Sequence, residues 1–456
     1  VISSSIRAVA DLSGARIAFG DPTARVRGVA LERHEIGPRR LFVALDHAKA
    51  EVKEAFERGA VVLAGARPRR VSGPLLIAGD VLAALQRLAK HHLGRAPCLT
   101  IGVTGSVGKT TIKEMIARVL EPAFDVHKTS LNRNGQLGVP ATVLLRPLCA
   151  NAMVLEMGIS MPKEMARLVE IVTPSIAVLS RLSPVHAANF PSFRALIREK
   201  KRLLEGRASA RPELAIVHVD AMPLVAPLPT RAITYGLRSE ADVFATDIAI
   251  DHRRAGDRPG ATFLVHGIAR RPFPIRLPLF GSAMIENALA ALAVGHALGV
   301  RTRKMVDALE SLVLDVPMRQ AWHKRNGITI IDDTYNAAPA SMIAALELLE
   351  TAPIAGRRIA VLGDMLELGR GTREHHRALA PAVERATHHL FTIGPAMRHL
   401  HRAVRGVSAE HFDDLEALGR RLLCVARAGD AVLFKASRGI ALERAVTAFE
   451  AARHVP

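Results

Sequence analysis

Apolar residues recur along this chain in two rhythms, and the alternation between them sketches a fold. Continuous apolar runs at 41–45, 61–63 and 75–77 read as strands, with helical spacing over about 47–58 between the first two. Asp80 suits an N-cap, and Leu82, Leu85, Leu88 and Ala89 then keep a helical face through Leu93. Gly94-Arg95-Ala96-Pro97 reads as a linker. A new unit opens with a strand at 99–103, a glycine-bearing turn, and a helix with Ile112, Met115, Ile116, Val119 and Leu120 on one side. Further strands are expected at 153–155, 176–179 and 215–219. Runs that are apolar throughout suit a mostly parallel sheet covered on both faces. Residues 242–280 break into short strand-like pieces, which predicts an antiparallel appendage before a helix at about 284–298. From Arg319 the pattern restarts, with strands at 329–331, 359–362, 390–393 and 431–434. The chain is therefore read as α/β with three domains. These are an α/β unit over 1–95, a central doubly wound sheet with its appendage over 96–318, and a Rossmann-like sheet over 319–456.

Composition narrows the class. The chain has 456 residues, 49% of them hydrophobic, enough for several cores. Its apolar runs are too short and too often charged to cross a bilayer, and residues 1–7 lack the pattern of a signal peptide. Cys98, Cys149 and Cys424 are far apart and odd in number, which fits neither a disulfide framework nor a metal cluster. Each sits among apolar neighbours, so each is expected to pack in a core. A cytoplasmic monomer without membrane insertion is the expectation. The formal net charge of +19 would draw anions, but the basic residues occur as scattered pairs such as Arg69-Arg70 and Arg420-Arg421. Aromatic residues are only 4%, leaving little to stack on bases. Small-molecule partners are expected, and nucleic acid is not.

The strongest local signal is Thr104-Gly105-Ser106-Val107-Gly108-Lys109-Thr110-Thr111, between a buried strand and an amphipathic helix. Glycines let backbone N–H groups face phosphates at a helix N-terminus, and Lys109 supplies a cation to the terminal phosphate. Thr110 or Thr111 offers a hydroxyl to Mg²⁺. The first glycine sits closer in than in the common phosphate-loop spacing. No guanine-reading Asn/Thr-Lys-x-Asp follows, so ATP is favoured over GTP.

This loop resembles that of the Mur ligases, which add amino acids to peptidoglycan precursors, and the likeness continues in order along the chain. Val154-Leu155-Glu156-Met157-Gly158 is similar to the family's second-strand motif, whose Glu helps hold Mg²⁺. Ser183-Pro184-Val185-His186 resembles its Ala-His element, which implies His186 at the metal site. Lys200 aligns with a carbamylated lysine that helps place a second Mg²⁺, although the adjacent Lys201 allows a slip of one. Asn287 matches an asparagine that contacts ATP, and Arg319 the arginine at the entry to the third domain. Asp332-Asp333-Thr334-Tyr335-Asn336-Ala337-Ala338-Pro339 resembles an element whose key acid is Asp333, with Tyr335 and Asn336 beside the nucleotide. Lys435, Ser437 and Arg438 are implied to hold the carboxylate of the amine substrate. Val361 to Gly369 is the most discriminating stretch. It points to the branch that joins D-alanyl-D-alanine to a UDP-linked tripeptide.

The departures from the family pattern have a pattern of their own. The Asp-Ser-Arg element of the first domain falls on Glu32-Arg33-His34, and a Gly…Asp-Gly-His loop is shortened to Asp46-His47-Ala48-Lys49-Ala50. Both elements help hold the UDP-sugar in typical members. Ala283-Met284 replaces a His-Asn pair, Ala338 a second asparagine, and Arg181 and Val107 stand where Asn is common. The phosphate and metal groups that the resemblance implies thus survive, while the UDP-binding groups it implies are eroded. This leaves open an amide ligase acting on a different carboxylate.

The resemblance implies an ATP-dependent amide-bond ligase working through an acyl phosphate, with Lys109, Glu156, His186, Lys200, Arg319 and Asp333 as its catalytic set. A phosphate-loop kinase or ATPase would need neither Lys200 nor a third domain contributing Arg319 and Asp333. A basic nucleic-acid binder would tolerate loss of Lys109.

Overall fold

The computed structural model describes residues 2–45, 49–130, 133–184, 187–251, 260–313 and 318–452. Their strands form sheets of five, nine and six strands and a two-stranded ribbon. The fold is α/β with parallel-rich sheets.

In the first sheet the strands Leu75–Ile77, Val61–Ala64, Leu41–Ala44 and Val29–Ala30 run parallel, and Arg16–Phe19 is antiparallel at the edge. Helix Lys49–Glu57 covers one face through Val52, Ala55 and Phe56. Helices Ile6–Ser13 and Val81–Arg95 cover the other. Asp80 caps the latter, its Oδ1 accepting the Ala83 N–H at 2.9 Å. The expected linker at 94–97 is largely not one. The helix runs through Arg95, and the Ala96 N–H still bonds to the His92 carbonyl at 3.2 Å. Pro97, which could not follow as a hydrogen-bond donor, ends the run.

The nine-stranded sheet is parallel from Val126–Lys128 through Ala152–Glu156, Leu99–Thr104, Ile176–Leu179, Leu214–His218 and Arg231–Gly236 to Val243–Asp251. The expected appendage is continuous with it. Val243–Asp251, Gly260–His266 and Phe273–Leu277 pair antiparallel at its far edge. Helices Lys109–Leu120, Ser282–Ala297 and Thr302–Glu310 pack on one face, burying Ile112, Met115, Ile116, Val119 and Leu120 as the spacing predicts. Helices Gly138–Leu145, Glu164–Ile171 and Phe193–Glu205 pack on the other, in a core shared with the first unit.

The six-stranded sheet runs Ala321–Arg325, Ile328–Asp332, Ala431–Lys435, Arg358–Gly363, His389–Ile393, Ser408–Phe412, parallel except for the first hairpin. Helices such as Pro339–Thr351 and Leu415–Val425 flank its two faces.

The cysteines depart from expectation. Cys98 is half-buried, and Cys149 and Cys424 are exposed. In helix Leu415–Val425 the core stripe is Leu418, Leu422 and Val425, and position 424 falls off it. Among the described residues no helix is long and apolar enough to cross a membrane.

Candidate active site

The phosphate loop follows from its glycines. Gly105 has φ 140° and Gly108 φ 84°, where a side chain is disfavoured. Space is short as well. A Cβ on Gly105 would lie 1.9 Å from Ser180 Oγ, and one on Gly108 2.6 Å from Asn287 Oδ1. The loop is tied to the segment after strand Ile176–Leu179. Ser180 Oγ donates to the Val107 carbonyl at 2.5 Å, the Ser106 N–H to the Arg181 carbonyl at 2.9 Å, and Ser106 Oγ to the Ser183 carbonyl at 2.8 Å. Thr104 is fully buried beneath the loop, and its hydroxyl has no partner among the described residues.

Lys109 Nζ and Lys200 Nζ both donate to the Gly105 carbonyl, at 3.2 and 2.7 Å. Lys200 is 1% exposed. Burial, and then the charge of Lys109, hold its amine well below the ordinary lysine range. Burial also lowers Lys109, against the pull of Glu156.

Glu156 ends the strand beside the loop strand, with Val103 opposite it. Its Oε2 accepts from Thr110 Oγ1 at 2.8 Å and its Oε1 from Asn134 Nδ2 at 2.7 Å. Thr111 joins Thr110 on the cleft wall. These are hard oxygen donors beside a phosphate loop, and they fit Mg²⁺ better than a soft or nitrogen-loving metal. Among the described residues no three His, Cys, Asp or Glu side chains converge. Mg²⁺ ordinarily needs only one or two carboxylates plus phosphates and water. His186 lies outside the described residues.

The third unit closes the cleft. The Arg319 guanidinium lies 4.1 Å from the centroid of the Tyr335 ring. Met318 and Gln320 on either side of it have φ of 61° and 50°. The turn is held by the Tyr335 N–H donating to the Met318 carbonyl at 3.0 Å and the Gln320 N–H donating to Asp333 Oδ1 at 3.3 Å. Burial pushes the Asp333 carboxyl up, opposed by Lys435 and Arg319. Asn336 lines the same cleft, as does Asn287.

The three residues expected at the amine's carboxylate have other engagements. Lys435 Nζ pairs with Asp333 Oδ2 at 2.5 Å and donates to the Asn336 carbonyl at 3.0 Å. Ser437 Oγ accepts the Leu366 N–H at 2.9 Å. Arg438 reaches outward to Glu443 at 3.2 Å.

Sequence reasoning did not single out Asn134, His218 or Glu286, and noted Arg181 only as a departure. All four line the cleft, which measures about 310 Å³. Arg181 Nη2 pairs with Glu286 Oε1 at 2.6 Å. His218 Nδ1 accepts the Asp220 N–H at 3.1 Å, and its Nε2 lies 3.2 Å both from Arg181 Nε and from the same Glu286 oxygen. Burial works against the Glu286 carboxylate, yet His218 and Arg181 hold it below the usual range. A signal was available: Arg181 and His218 stand at or just past the C-terminal ends of parallel strands, where open α/β sheets bind ligands.

In the first unit, Glu32 and Glu35 face the second. Arg133 Nη2 meets Glu32 Oε1 at 3.0 Å and Arg133 Nη1 meets Glu35 Oε1 at 2.7 Å. Arg33 pairs with Glu54 at 2.6 Å. Asp46, His47 and Ala48 of the shortened loop lie outside the described residues.

Two family models match the chain, the Mur ligase middle domain over 103–295 and the Mur ligase glutamate ligase domain over 318–438. A UDP-N-acetylmuramoyl-tripeptide–D-alanyl-D-alanine ligase of Bacillus subtilis (strain 168) is 31% identical over 440 residues, 92% of each chain. The chain belongs to the Mur ligase family. A ligase of the same name from Synechocystis is 30% identical to this Mur ligase, covering 93% of it and 92% of the relative. Among solved structures, MurF from Acinetobacter baumannii superposes with a TM-score of 0.85 over 99% of this chain and 100% of that one, at 23% identity. The MurF ligase from Thermotoga maritima in complex with ADP gives 0.79 over 93% and 97%, at 26% identity.

Proposed function

We propose that this Mur ligase joins D-alanyl-D-alanine to the carboxylate of a UDP-N-acetylmuramoyl-tripeptide, with ATP, through an acyl phosphate. The activity is the one named for both curated relatives. The observation that carries the mechanism is the single cleft in which Lys109 and Glu156 of the phosphate-loop unit meet Arg319 and Asp333 of the third.

In this reading residues 1–95 hold the acid substrate, 96–318 bind ATP, and 319–456 hold the amine. Ser106 to Thr111 and Asn287 cradle the nucleotide phosphates from below, with Thr104 and Gly105 shaping the loop beneath them, and Arg319, Asp333, Tyr335 and Asn336 hold the nucleotide from above. Mg²⁺ would be held by Thr110, Glu156 and a carbamylated Lys200, and when bound it neutralises phosphate charge. His186 joins this set on the strength of the resemblance alone. The depressed amine of Lys200 supports carbamylation, because only the neutral form attacks CO₂.

A substrate carboxylate oxygen attacks the γ-phosphorus and ADP leaves, while Lys109 offsets the charge on the transferring group. The amine then attacks the acyl carbon, a C–N bond forms, phosphate departs and the nitrogen loses a proton. Closing the third unit over the loop keeps water from the acyl phosphate. Lys435, by its ion pair, would set the position of Asp333, and Ser437 and Arg438 are assigned to the amine's carboxylate on the strength of the resemblance alone.

A tripeptide labelled with ¹⁸O in its carboxylate tests the route. One label per turnover should appear in the released phosphate, and unlabelled phosphate would exclude an acyl phosphate. A second reading, a different carboxylate substrate, is favoured by one observation. Glu32, on the element that serves UDP-sugar in the family pattern, is turned to Arg133.

A further inference from the structure

The cleft has two ends, and strand order distinguishes them. Glu156 ends the neighbour on one side of the loop strand Leu99–Thr104. On the other side come, in order, Ile176–Leu179 with Arg181 just beyond it, Leu214–His218, and Arg231–Gly236 with Tyr235. At about 4.8 Å per strand, His218 stands roughly 10 Å from the loop strand, away from Glu156. A nucleoside triphosphate whose terminal phosphate lies by Lys109 and Glu156 therefore extends its nucleoside toward Arg181.

There the wall has a particular construction. The Arg181 side chain is 46% exposed, whereas Glu286, which grips one edge of its guanidinium, is 6% exposed and His218 behind it 2%. A guanidinium held at its edge by a buried carboxylate keeps its flat face available. Ala283, Met284 and Ala344 line the same cleft and offer no competing polar groups. Two of this chain's departures from the family pattern, Arg181 and Ala283-Met284, border this one end.

We propose that Arg181, held by Glu286 and His218, is the platform on which this ligase stacks the base of its nucleotide. The proposal rests on the ATP-binding assignment above and adds how the base is recognised. A stacking face reads shape more than hydrogen-bond pattern.

The test is calorimetric binding of ADP and of inorganic tripolyphosphate, which has phosphates but no base, to the unaltered protein and to Arg181→Ala and Arg181→Lys. The lysine variant keeps a cation beside buried Glu286, so it folds even if the alanine variant does not, but it lacks the planar face. ADP should bind about tenfold more weakly to both variants, with tripolyphosphate unchanged. The platform is overturned if Arg181→Lys binds ADP like the unaltered protein, or if tripolyphosphate weakens in step with ADP. Failure of the unaltered protein to bind either ligand would instead overturn the ATP assignment, and the platform with it.

Discussion

Lys109 and Lys200 converge on one acceptor, the carbonyl oxygen of Gly105, at 3.2 and 2.7 Å. Two ammonium groups crowd a single buried oxygen, and the more deeply placed lysine yields its proton more easily. In the proposed mechanism this arrangement divides their work: Lys109 keeps a charge for phosphate, and Lys200 offers an uncharged amine to CO₂.

Loss of Lys109 should therefore be a chemical lesion. Lys109→Ala is expected to lower turnover by about 10²–10³-fold or more while the thermal melting curve keeps its cooperativity. Near-normal turnover would remove Lys109 from the mechanism.

Carbamylation of Lys200 predicts a dependence on dissolved CO₂. Turnover in CO₂-depleted buffer should fall and recover on adding bicarbonate, whereas Lys200→Ala should be slow in both. Indifference of the unaltered enzyme to bicarbonate would argue for a plain amine.

Both carboxylate oxygens of Glu156 are oriented, one by Thr110 and one by Asn134. Removing Asn134 should loosen the metal's support without removing a ligand. In Asn134→Ala the Mg²⁺ concentration for half-maximal activity should rise roughly 10–100-fold. An unchanged Mg²⁺ titration would show that Asn134 does not act through Glu156.

Acid stability should carry a signature of His92. Burial above all holds this imidazole at about 4, against an ordinary value of 6.5. Between those values the unfolded chain binds a proton that the folded chain does not, so stability falls as pH drops from 6.5 toward 4. His92→Leu removes that contribution. Its melting temperature should decline less over this range than that of the unaltered protein, and parallel declines would exclude the assignment.

Arg133 joins the first two units through Glu32 and Glu35, and both its side chain and that of Glu35 are largely buried. Arg133→Ala should cost about 1–3 kcal/mol in the first urea transition by leaving Glu35 unpaired. Adding Glu35→Gln should return part of that loss.

The interior strands were legible in the sequence because parallel strands covered on both faces are apolar without interruption, as in Ala152–Glu156 and Ala431–Lys435. Edge strands were not. Ala321–Arg325 reads Ala-Trp-His-Lys-Arg, and its polar side chains are solvated. The phosphate loop was legible because its glycines answer a local backbone demand. The Lys435–Asp333 pair was not, since the two residues are 102 apart in sequence and meet only through the pairing of Asp332 with Phe434. Lys435 alone looks like a substrate ligand, and its partner becomes visible only across two strands. The Arg181–Glu286–His218 group was hidden for the same reason, drawn from two strand ends and a helix.

Phosphate release from MgATP, with UDP-N-acetylmuramoyl-tripeptide and D-alanyl-D-alanine supplied together or singly, decides whether this enzyme makes the UDP-linked pentapeptide. Release is expected only when both are present, with a UDP-linked pentapeptide of matching mass. ATP binding without release on that pair would contradict the assigned substrates and favour a Mur ligase acting on a different carboxylate.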